Sequence, residues 1–225
     1  MPDRTRARAL AQESLARGDA VGWFERLYAE AGRGEALVPW ADLAPNPHVV
    51  EWLEREAPAP GRALDVGCGL GDAAEDLARR GFDVVAFDVS QSAVDEARRR
   101  FPASRVDYRV ADLLHLPEQF EAAFDLVIEC YTLQVLPPGA RAGAIAALRR
   151  TLAPGGALLV VARGREAEEP AGQMPWPLTR AEVEAVAAGE LWLVAFEDFF
   201  DREDPPVRRF RALFRRASAA KPRAQ

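Results

Sequence analysis

The chain has 225 residues, of which 49% are hydrophobic and 28% are charged, a composition typical of one folded globular domain and unlike that of a disordered chain. Its formal net charge of −6 argues against a nucleic-acid partner, because phosphate binding usually leaves a basic surface. No apolar run reaches the ~20 residues that a membrane span requires, so no membrane partner is predicted.

The N-terminal part is predicted to be mainly helical. Apolar positions recur among charges over residues 5–33, and Gly18 marks a break in that pattern. A loop rich in glycine and proline follows. A short helix is expected from about Pro47 to Glu56, because Asn46 is a typical N-cap and proline is favoured in the first helical turn.

The central part alternates between strands and helices. Strands are predicted for residues 62–66, 83–87, 105–110, 124–130 and 157–162. Helices are predicted near residues 70–80, 91–100 and 139–152. Repeated strand–helix–strand order indicates a mainly parallel sheet with helices on both faces.

The C-terminal part ends in two apolar runs, 191–200 and 207–216, with a short connection between them. A short connection permits an antiparallel hairpin but not a parallel crossover, so we expect the sheet to end in an antiparallel pair. Alternation places Arg209, Arg211 and Arg215 on one face of the second run. We therefore expect an edge strand with a solvated, charged face.

The segment DVGCGLGDAAEDLA, from Asp65 to Ala78, has a glycine at every second position of its turn. A Walker loop requires Lys-Ser/Thr after the last glycine, where this chain has Asp72 and Ala73. A dinucleotide fingerprint requires glycine at position 72, where a carboxylate would repel the pyrophosphate. A tight turn without any ligand accounts for one or two glycines better than for three.

A fourth interpretation is a site for S-adenosylmethionine, a nucleoside with a cationic sulfur, an ammonium and a carboxylate. A glycine turn permits close approach of the backbone to such a ligand. Asp65, Asp88 and Asp112 each end or follow one of three successive strands. Asp65 is placed to accept hydrogen bonds from the ammonium, Asp88 from the ribose hydroxyls and Asp112 from the adenine amino group. Val89 and Leu113 would pack against the adenine faces. Three carboxylates suit a cation with free hydroxyls and do not suit two phosphates.

Five segments, LDVGCGLG, VVAFDVS, VADLLHLP, FDLVIECYTLQVL and LRRTLAPGGALLVV, follow one another over roughly residues 62–163. In this order they resemble the class I S-adenosylmethionine-dependent methyltransferases. The resemblance implies a Rossmann-like α/β fold with a seven-stranded, mainly parallel sheet of order 3-2-1-4-5-7-6, strand 7 antiparallel, and helices on both faces. It implies a single domain: an N-terminal helical lid or cap (1–57), a Rossmann-like core (58–216) and a flexible tail (217–225). The ligand would bind at the carboxyl ends of the first strands.

The flanks, GWFERLYAEAGRGEALVPWADLAPNPHVVEWL, GQMPWPLTRAEVEAV and FEDFFDREDPPVRRFRALFRR, resemble the thiopurine, halide/thiol and tellurite-resistance methyltransferases. In that group an N-terminal tryptophan closes over the cofactor, which implies this role for Trp40, with Trp23 as a second candidate. A tryptophan face over a sulfonium contributes roughly 0.5–2 kcal/mol, and anchoring a loop on the core is the alternative role of Trp40. The predicted cofactor-binding residues are Asp65, Val66, Gly67, Cys68, Gly69, Gly71, Asp88, Val89, Ala111, Asp112, Leu113, Glu129 and Trp40.

The acceptor side is predicted from the end of the fourth strand and from the long loop 164–177, a length common in functional loops. Tyr131 would orient the acceptor or act as a base, and the ordinary tyrosine pKa of about 10 favours hydrogen bonding. Arg163 is a candidate anion site and Trp176 a candidate wall, with simple packing of the loop as the alternative. The predicted acceptor-binding residues are Trp23, Tyr131, Arg163 and Trp176.

We therefore predict an enzyme that moves a methyl group from S-adenosylmethionine to a small molecule and releases S-adenosylhomocysteine. The sulfonium is activated by its positive charge, which makes it a good leaving group. An enzyme can therefore accelerate the transfer mainly by aligning donor and acceptor and by excluding water. Neither His48 nor His115 is a convincing base, which fits a thiolate, halide or chalcogen acceptor and fits a phenol or carboxylate nearly as well. The resemblance to the thiopurine, halide/thiol and tellurite-resistance methyltransferases implies a soft nucleophile such as a thiol, a chalcogen oxyanion or a halide. The alternatives are an O- or N-methyltransferase of specialised metabolism and a non-catalytic cofactor-binding module.

The N-terminus and the two cysteines bear on the setting of the protein. The first residues are charged and contain no apolar signal core, and Cys68 and Cys130 lack metal-ligand spacing. We expect a reduced, cytoplasmic protein without a metal site, as a monomer or a homodimer.

Overall fold

A computed structural model describes residues 4–218 and contains one seven-stranded sheet. The strands are β1 Arg62–Val66, β2 Asp83–Asp88, β3 Asp107–Val110, β4 Phe124–Cys130, β5 Leu152–Arg163, β6 Leu191–Phe200 and β7 Arg208–Arg216. Their order across the sheet is β3-β2-β1-β4-β5-β7-β6, and β7 runs antiparallel to both of its neighbours. The predicted fold class is confirmed. Part of the predicted tail, residues 219–225, lies outside the described residues.

Seven α-helices surround the sheet in the described part of the chain. They are α1 Thr5–Leu15, α2 Gly22–Gly32, α3 Pro47–Glu56, α4 Asp72–Arg79, α5 Gln91–Arg100, α6 Pro138–Thr151 and α7 Arg180–Glu184. Gly18, at φ +76°, lies in the predicted break between α1 and α2. Asn46 begins α3 by accepting a hydrogen bond from the backbone N–H of His48 over 3.0 Å. None of the seven has the length and apolar character needed to cross a membrane.

Successive strand residues pack on opposite faces of the sheet, as the period of two in a strand requires. Leu64 and Val66 of β1 join a buried cluster with α6 and α7. Ala63 joins a second cluster on the other face with α3, α4 and α5. Burial of both faces accounts for the near-continuous apolar runs of the inner strands.

Two strand boundaries and one helix differ from the prediction. β5 begins at Leu152, which pairs with Phe124 before the register shifts, so the strand is longer than residues 157–162. β3 covers only Asp107–Val110. The short helix α7 was not predicted; it begins with a capping box between Thr179 and Glu182.

The predicted solvated face of β7 is wrong for two of its three arginines. Arg209 and Arg211 are only 5% and 3% exposed, whereas Arg215 is exposed. β7 is an inner strand because β6 pairs with its outer edge, so its arginines are covered. Arg211 donates to Glu197 of β6 over 2.9 and 2.6 Å and to Glu51 of α3 over 3.1 Å.

Helix α2 is tied to the loop that leads into α5. The Glu25 carboxylate accepts hydrogen bonds from the Ser90 hydroxyl (2.7 Å), the Ser92 hydroxyl (2.6 Å) and the Ser92 backbone N–H (3.0 Å). This contact holds the N-terminal helices over the carboxyl ends of the inner strands, which is where open α/β sheets bind their ligands.

Candidate active site

A cavity of about 490 Å³ lies at the carboxyl ends of the inner strands, beneath the N-terminal segment. The predicted site residues that line it are Trp40, Asp65, Val66, Gly67, Cys68, Gly69, Asp88, Val89, Ala111, Asp112, Leu113, Tyr131 and Arg163. The predicted site residues outside its lining are Trp23, Gly71, Glu129 and Trp176.

The turn after β1 has no room for side chains at its first two glycines. Gly67 and Gly69 have φ of +64° and +52°. A Cβ on Gly67 would lie 2.5 Å from the Thr132 hydroxyl, and a Cβ on Gly69 would lie 2.9 Å from the Tyr28 hydroxyl. Both the backbone conformation and the neighbouring atoms therefore require glycine at the cavity wall.

Asp65, at the end of β1, is the buried carboxylate of this wall. It is 4% exposed, and its Oδ2 has no hydrogen-bond partner among the described residues. Burial, reinforced by the nearby Asp88 carboxylate, raises the pKa of Asp65 to about 7. An unpartnered oxygen on a cavity wall favours a ligand that brings a donor, and a cationic donor most of all.

Asp88, at the end of β2, also lines the cavity, but its carboxylate already has backbone partners. Its Oδ2 accepts from the N–H of Gly69 over 3.0 Å and its Oδ1 from the N–H of Ser90 over 2.9 Å. Burial raises the pKa of Asp88 to about 6 despite these donors. Each oxygen keeps a second lone pair for a hydroxyl group of a ligand.

Asp112 follows β3 and caps a short turn at the cavity. Its Oδ1 accepts from the N–H of Leu114 over 2.9 Å, and its Oδ2 lies 2.8 Å from Nδ1 of His115. The His115 ring is 82% exposed, and His115 does not line the cavity. His115 therefore contacts the predicted adenine-binding carboxylate and not the reaction centre.

Glu129 is fully buried and does not reach the cavity. Its Oε1 accepts from the N–H groups of Thr132 (2.7 Å) and Leu133 (2.9 Å), and burial raises its pKa to about 7. The turn after β4 thus covers this carboxylate, so the predicted contact with the cofactor is wrong. Its position instead stabilises the turn that carries Thr132 to the glycines.

Trp23 and Trp40 have different positions. Trp23 is 1% exposed and stacks on Phe24 at 3.8 Å, behind the cavity wall. Trp40 is half-buried, lines the cavity, and donates from Nε1 to the Tyr28 hydroxyl over 2.9 Å. Trp40 thus both packs on the core, as in the alternative reading, and faces the cavity. Trp23 has no access to the cavity, so the predicted ligand contact of Trp23 is wrong.

Two further predictions need correction because of packing. Trp176 lies 6.0 Å from the Arg141 guanidinium and outside the cavity lining, which its neighbour Pro175 joins instead. Gly71 is required by the turn and not by the cavity. Its φ is +88°, and a Cβ there would clash with the Tyr108 hydroxyl.

Tyr131 directly follows β4 and lines the cavity. Its backbone lies in the left-handed region, at φ +68°. Strain of this kind in a non-glycine residue is concentrated at functional sites. Burial, and next the Cys130 side chain, raise the pKa of the Tyr131 phenol. The phenol therefore stays protonated at neutral pH, and the hydrogen-bonding role of Tyr131 stays a prediction.

The residues of the cavity wall that sequence reasoning missed include Arg4, Tyr28, Glu203 and Arg209. The predicted strand order contained one usable signal. An order that ends 5-7-6 places strand 7 between two strands, which conflicts with the expected edge strand.

These residues fit S-adenosylmethionine. The unpartnered Asp65 oxygen suits the ammonium, and Asp88 and Asp112 keep acceptor capacity for hydroxyl and amino groups. The glycine turn would admit a close backbone approach. An acidic wall of this kind opposes a ligand with two phosphates.

Comparison with known proteins agrees with this fit. Residues 63–156 match the family described as "Methyltransferase domain". The chain is 37% identical over 113 residues to a ubiquinone biosynthesis O-methyltransferase of Hahella chejuensis, an alignment that covers 49% of this chain and 47% of the relative. It thus spans about half the length of that relative.

Two further similarities are longer. The 2-heptyl-1-hydroxyquinolin-4(1H)-one methyltransferase of Mycobacteroides abscessus is 26% identical over 181 residues, which is 76% of this chain and 78% of that protein. A solved structure from work on the conversion of a disulfide bond into a thioacetal group during echinomycin biosynthesis superimposes with a TM-score of 0.72. It is 21% identical, covers 88% of this chain and 94% of its own, and shows the shared fold.

Residues 63–156 are similar to the methyltransferase domain family. The sheet order and the acidic cavity beside the glycine turn agree with the fold of the class I S-adenosylmethionine-dependent methyltransferases.

Proposed function

We propose that this protein transfers a methyl group from S-adenosylmethionine to a small-molecule acceptor. The observation that carries the proposal is the buried, unpartnered Oδ2 of Asp65 on the wall of a cavity that also contains the glycine turn and Asp88. When bound, the cofactor supplies a methyl group on a sulfonium that is already a good leaving group. Asp65 and Asp88 hold the ligand, and Tyr131 orients the acceptor from the end of β4.

The segment 20–47 forms a lid in this proposal. Tyr28 and Trp40 line the cavity from that segment and are hydrogen-bonded to each other. Their rings exclude water from the acceptor and the methyl group, which favours displacement over hydrolysis. A cytoplasmic setting, with a monomeric or homodimeric protein and no nucleic-acid partner, belongs to the same proposal.

A soft nucleophile is the acceptor that we favour, in line with the resemblance to the thiopurine, halide/thiol and tellurite-resistance group. Neither histidine lines the cavity, and the Tyr131 phenol stays protonated. A thiolate, halide or chalcogen oxyanion reacts without a base. The similar structure from work on a thioacetal concerns sulfur chemistry, which also supports this choice. The names of the ubiquinone and hydroxyquinolinone relatives favour oxygen as the second candidate.

Calorimetry followed by an acceptor panel tests the proposal. We expect the full chain to bind S-adenosylmethionine and S-adenosylhomocysteine, and to methylate members of a panel of thiols, halides, tellurite and phenols. Turnover of phenols alone would exclude the soft-nucleophile preference in favour of O-methylation. Tight binding of both nucleosides without turnover would identify a non-catalytic binding module.

A further inference from the structure

The cavity is electrically divided along the sheet. Its acidic end holds Asp65 and Asp88 at the tips of β1 and β2. Its basic end holds Arg163 from β5, Arg209 from β7 and Arg4 from the N-terminus of α1. β4 lies between β1 and β5, so Tyr131, which directly follows β4, lies between the two ends.

The basic end contains more guanidinium groups than carboxylates. Arg209 is paired with Asp201 (2.6 Å) and Glu203 (2.5 Å), and its guanidinium carbon lies 5.1 Å from the centre of the Tyr131 ring. Glu203 also lines the cavity. The positive charge of Arg209 is therefore balanced within the protein.

Arg163 and Arg4 have no such partners. Within residues 4–218, the guanidinium groups of both lack a hydrogen bond or ion pair, and Nε of Arg4 is fully buried without an acceptor. Desolvation, and then repulsion between neighbouring guanidinium groups, lower the pKa of both arginines. Both residues are half-buried. A half-buried guanidinium without an acceptor in the protein is open to stabilisation by a bound anion.

Arg163 is also held in place by its backbone. Its N–H donates to Oε1 of Gln134 over 2.7 Å, and its carbonyl oxygen accepts from the N–H of Leu178 over 2.8 Å. Gln134 itself lines the cavity. A fixed backbone directs the guanidinium at the cavity without relying on an internal ion pair.

We propose that the basic end is an anion site for the methyl acceptor: Arg163, with Arg4, binds a carboxylate or another oxyanion group that the acceptor carries away from its reacting atom. The inference rests on the proposed function, which it deepens by naming the substrate class. The cationic donor and the anionic acceptor then occupy opposite ends of one cavity. A guanidinium fork recognises a planar carboxylate by two parallel hydrogen bonds.

Matched acid and amide probes test this site. The probes are 4-mercaptobenzoate and 4-hydroxybenzoate, each compared with its neutral amide, titrated into the full chain with and without saturating S-adenosylhomocysteine. We expect each acid to bind at least about tenfold more tightly than its amide. Arg163→Gln should remove that preference, whereas Arg163→Lys should keep part of it because the charge remains.

Arg99→Gln is the matched control, because Arg99 is an exposed arginine of α5 outside the cavity. Equal affinity for acid and amide, no binding of either acid, or an unchanged preference in Arg163→Gln would overturn the inference. A loss of S-adenosylhomocysteine affinity in Arg163→Gln would also overturn it, by assigning the arginine to the carboxylate of the cofactor. Absence of nucleoside binding in the wild type would defeat the proposed function separately.

Discussion

The carboxylate of Asp88 accepts a hydrogen bond from the backbone N–H of Gly69 across 3.0 Å. The tip of β2 and the glycine turn are therefore one unit, and a change at either end reaches the other. Sequence reasoning assigned Asp88 to the ligand alone. The structure gives it a second task, because it also accepts from the N–H of Ser90.

Asp88→Ala should weaken both the site and the fold. Removing the carboxylate leaves the buried N–H groups of Gly69 and Ser90 without acceptors, which costs about 1–3 kcal/mol of folding stability. Affinity for S-adenosylhomocysteine should fall by at least about tenfold. Thermal unfolding and calorimetry measure the two losses, with exposed Asp83→Ala of the same strand as the control. Unchanged affinity would remove Asp88 from the site.

Gly69→Ala should be disruptive because of one neighbouring hydroxyl. The new Cβ would lie 2.9 Å from the Tyr28 hydroxyl, on a backbone with φ of +52°. We expect a loss of about 1–2 kcal/mol in stability together with weaker nucleoside binding. Adding Tyr28→Phe should restore part of the stability, since it removes the contacting oxygen.

Gly139→Ala is the control for this pair, because a Cβ at Gly139 would meet no atom within 4 Å. It should leave stability unchanged or slightly raised, since alanine is the better helix former in α6. Tyr28→Phe alone is the reference for the double variant, because it also removes the hydrogen bond from Nε1 of Trp40. If Gly69→Ala costs as much stability in the Tyr28→Phe background as in the wild type, the Tyr28 contact is not the cause of the loss.

Nucleoside affinity should rise between pH 5.5 and pH 8. Asp65 and Asp88 have pKa values of about 7 and about 6 in the folded protein, so both lose protons across this interval. An ammonium group binds the ionised carboxylate of Asp65, so S-adenosylhomocysteine binding should release protons and strengthen by about tenfold or more. Calorimetry in buffers of different ionisation enthalpy counts the protons. Asp65→Asn should bind weakly with a flatter pH profile, and a flat wild-type profile would contradict the prediction.

The same two carboxyl groups should make the unliganded protein less stable as the pH rises. Their pKa values are higher in the folded state than the ordinary 3.8 of the unfolded chain. Their contribution to stability is therefore complete below about pH 4 and is lost as the pH rises through 6 and 7. Thermal unfolding without ligand should follow this direction, and bound S-adenosylhomocysteine should reduce the loss.

Glu129→Gln separates a structural carboxylate from a cofactor ligand. The amide oxygen can still accept from the N–H groups of Thr132 and Leu133, while the buried charge disappears. The pKa of Glu129 is about 7, so the wild type loses stability as the pH rises through 7, and the variant should be more stable by about 1–2 kcal/mol at pH 8.

The difference should disappear below about pH 4, where Glu129 is protonated in both the folded and the unfolded chain, and nucleoside affinity should not change. Exposed Glu168→Gln is the control. A large loss of nucleoside affinity in Glu129→Gln would return Glu129 to the binding site.

Local patterns predicted the individual strands, the mainly parallel sheet and the glycine turn with its acidic strand ends, whereas the full sheet order was implied by the family resemblance. Alternating strands, the glycine turn and acidic residues at strand ends lie within contiguous segments. Glu129 could not be separated from these by pattern, since it too lies near a strand end. Only the turn through Thr132 and Leu133, which folds back over its carboxylate, distinguishes it.

The acceptor half was harder to predict because its residues come from distant parts of the chain. Arg4 and Arg209 meet only after β7 inserts between β5 and β6 and α1 packs against the remainder of the fold. The alternation of Arg209 with apolar neighbours is also what a solvated edge strand shows. The local pattern therefore predicted a solvent-exposed position for Arg209, which the fold buries.

The division of the cavity has a consequence for how such a protein diversifies. The segment that matches the methyltransferase domain family covers residues 63–156, and Arg4, Arg163 and Arg209 all lie outside it. In the proposed function, substitutions in those flanks exchange one set of acceptor contacts for another and leave the glycine turn and its carboxylates in place. A chimera that moves only the flanks onto a related core should carry its acceptor preference with it.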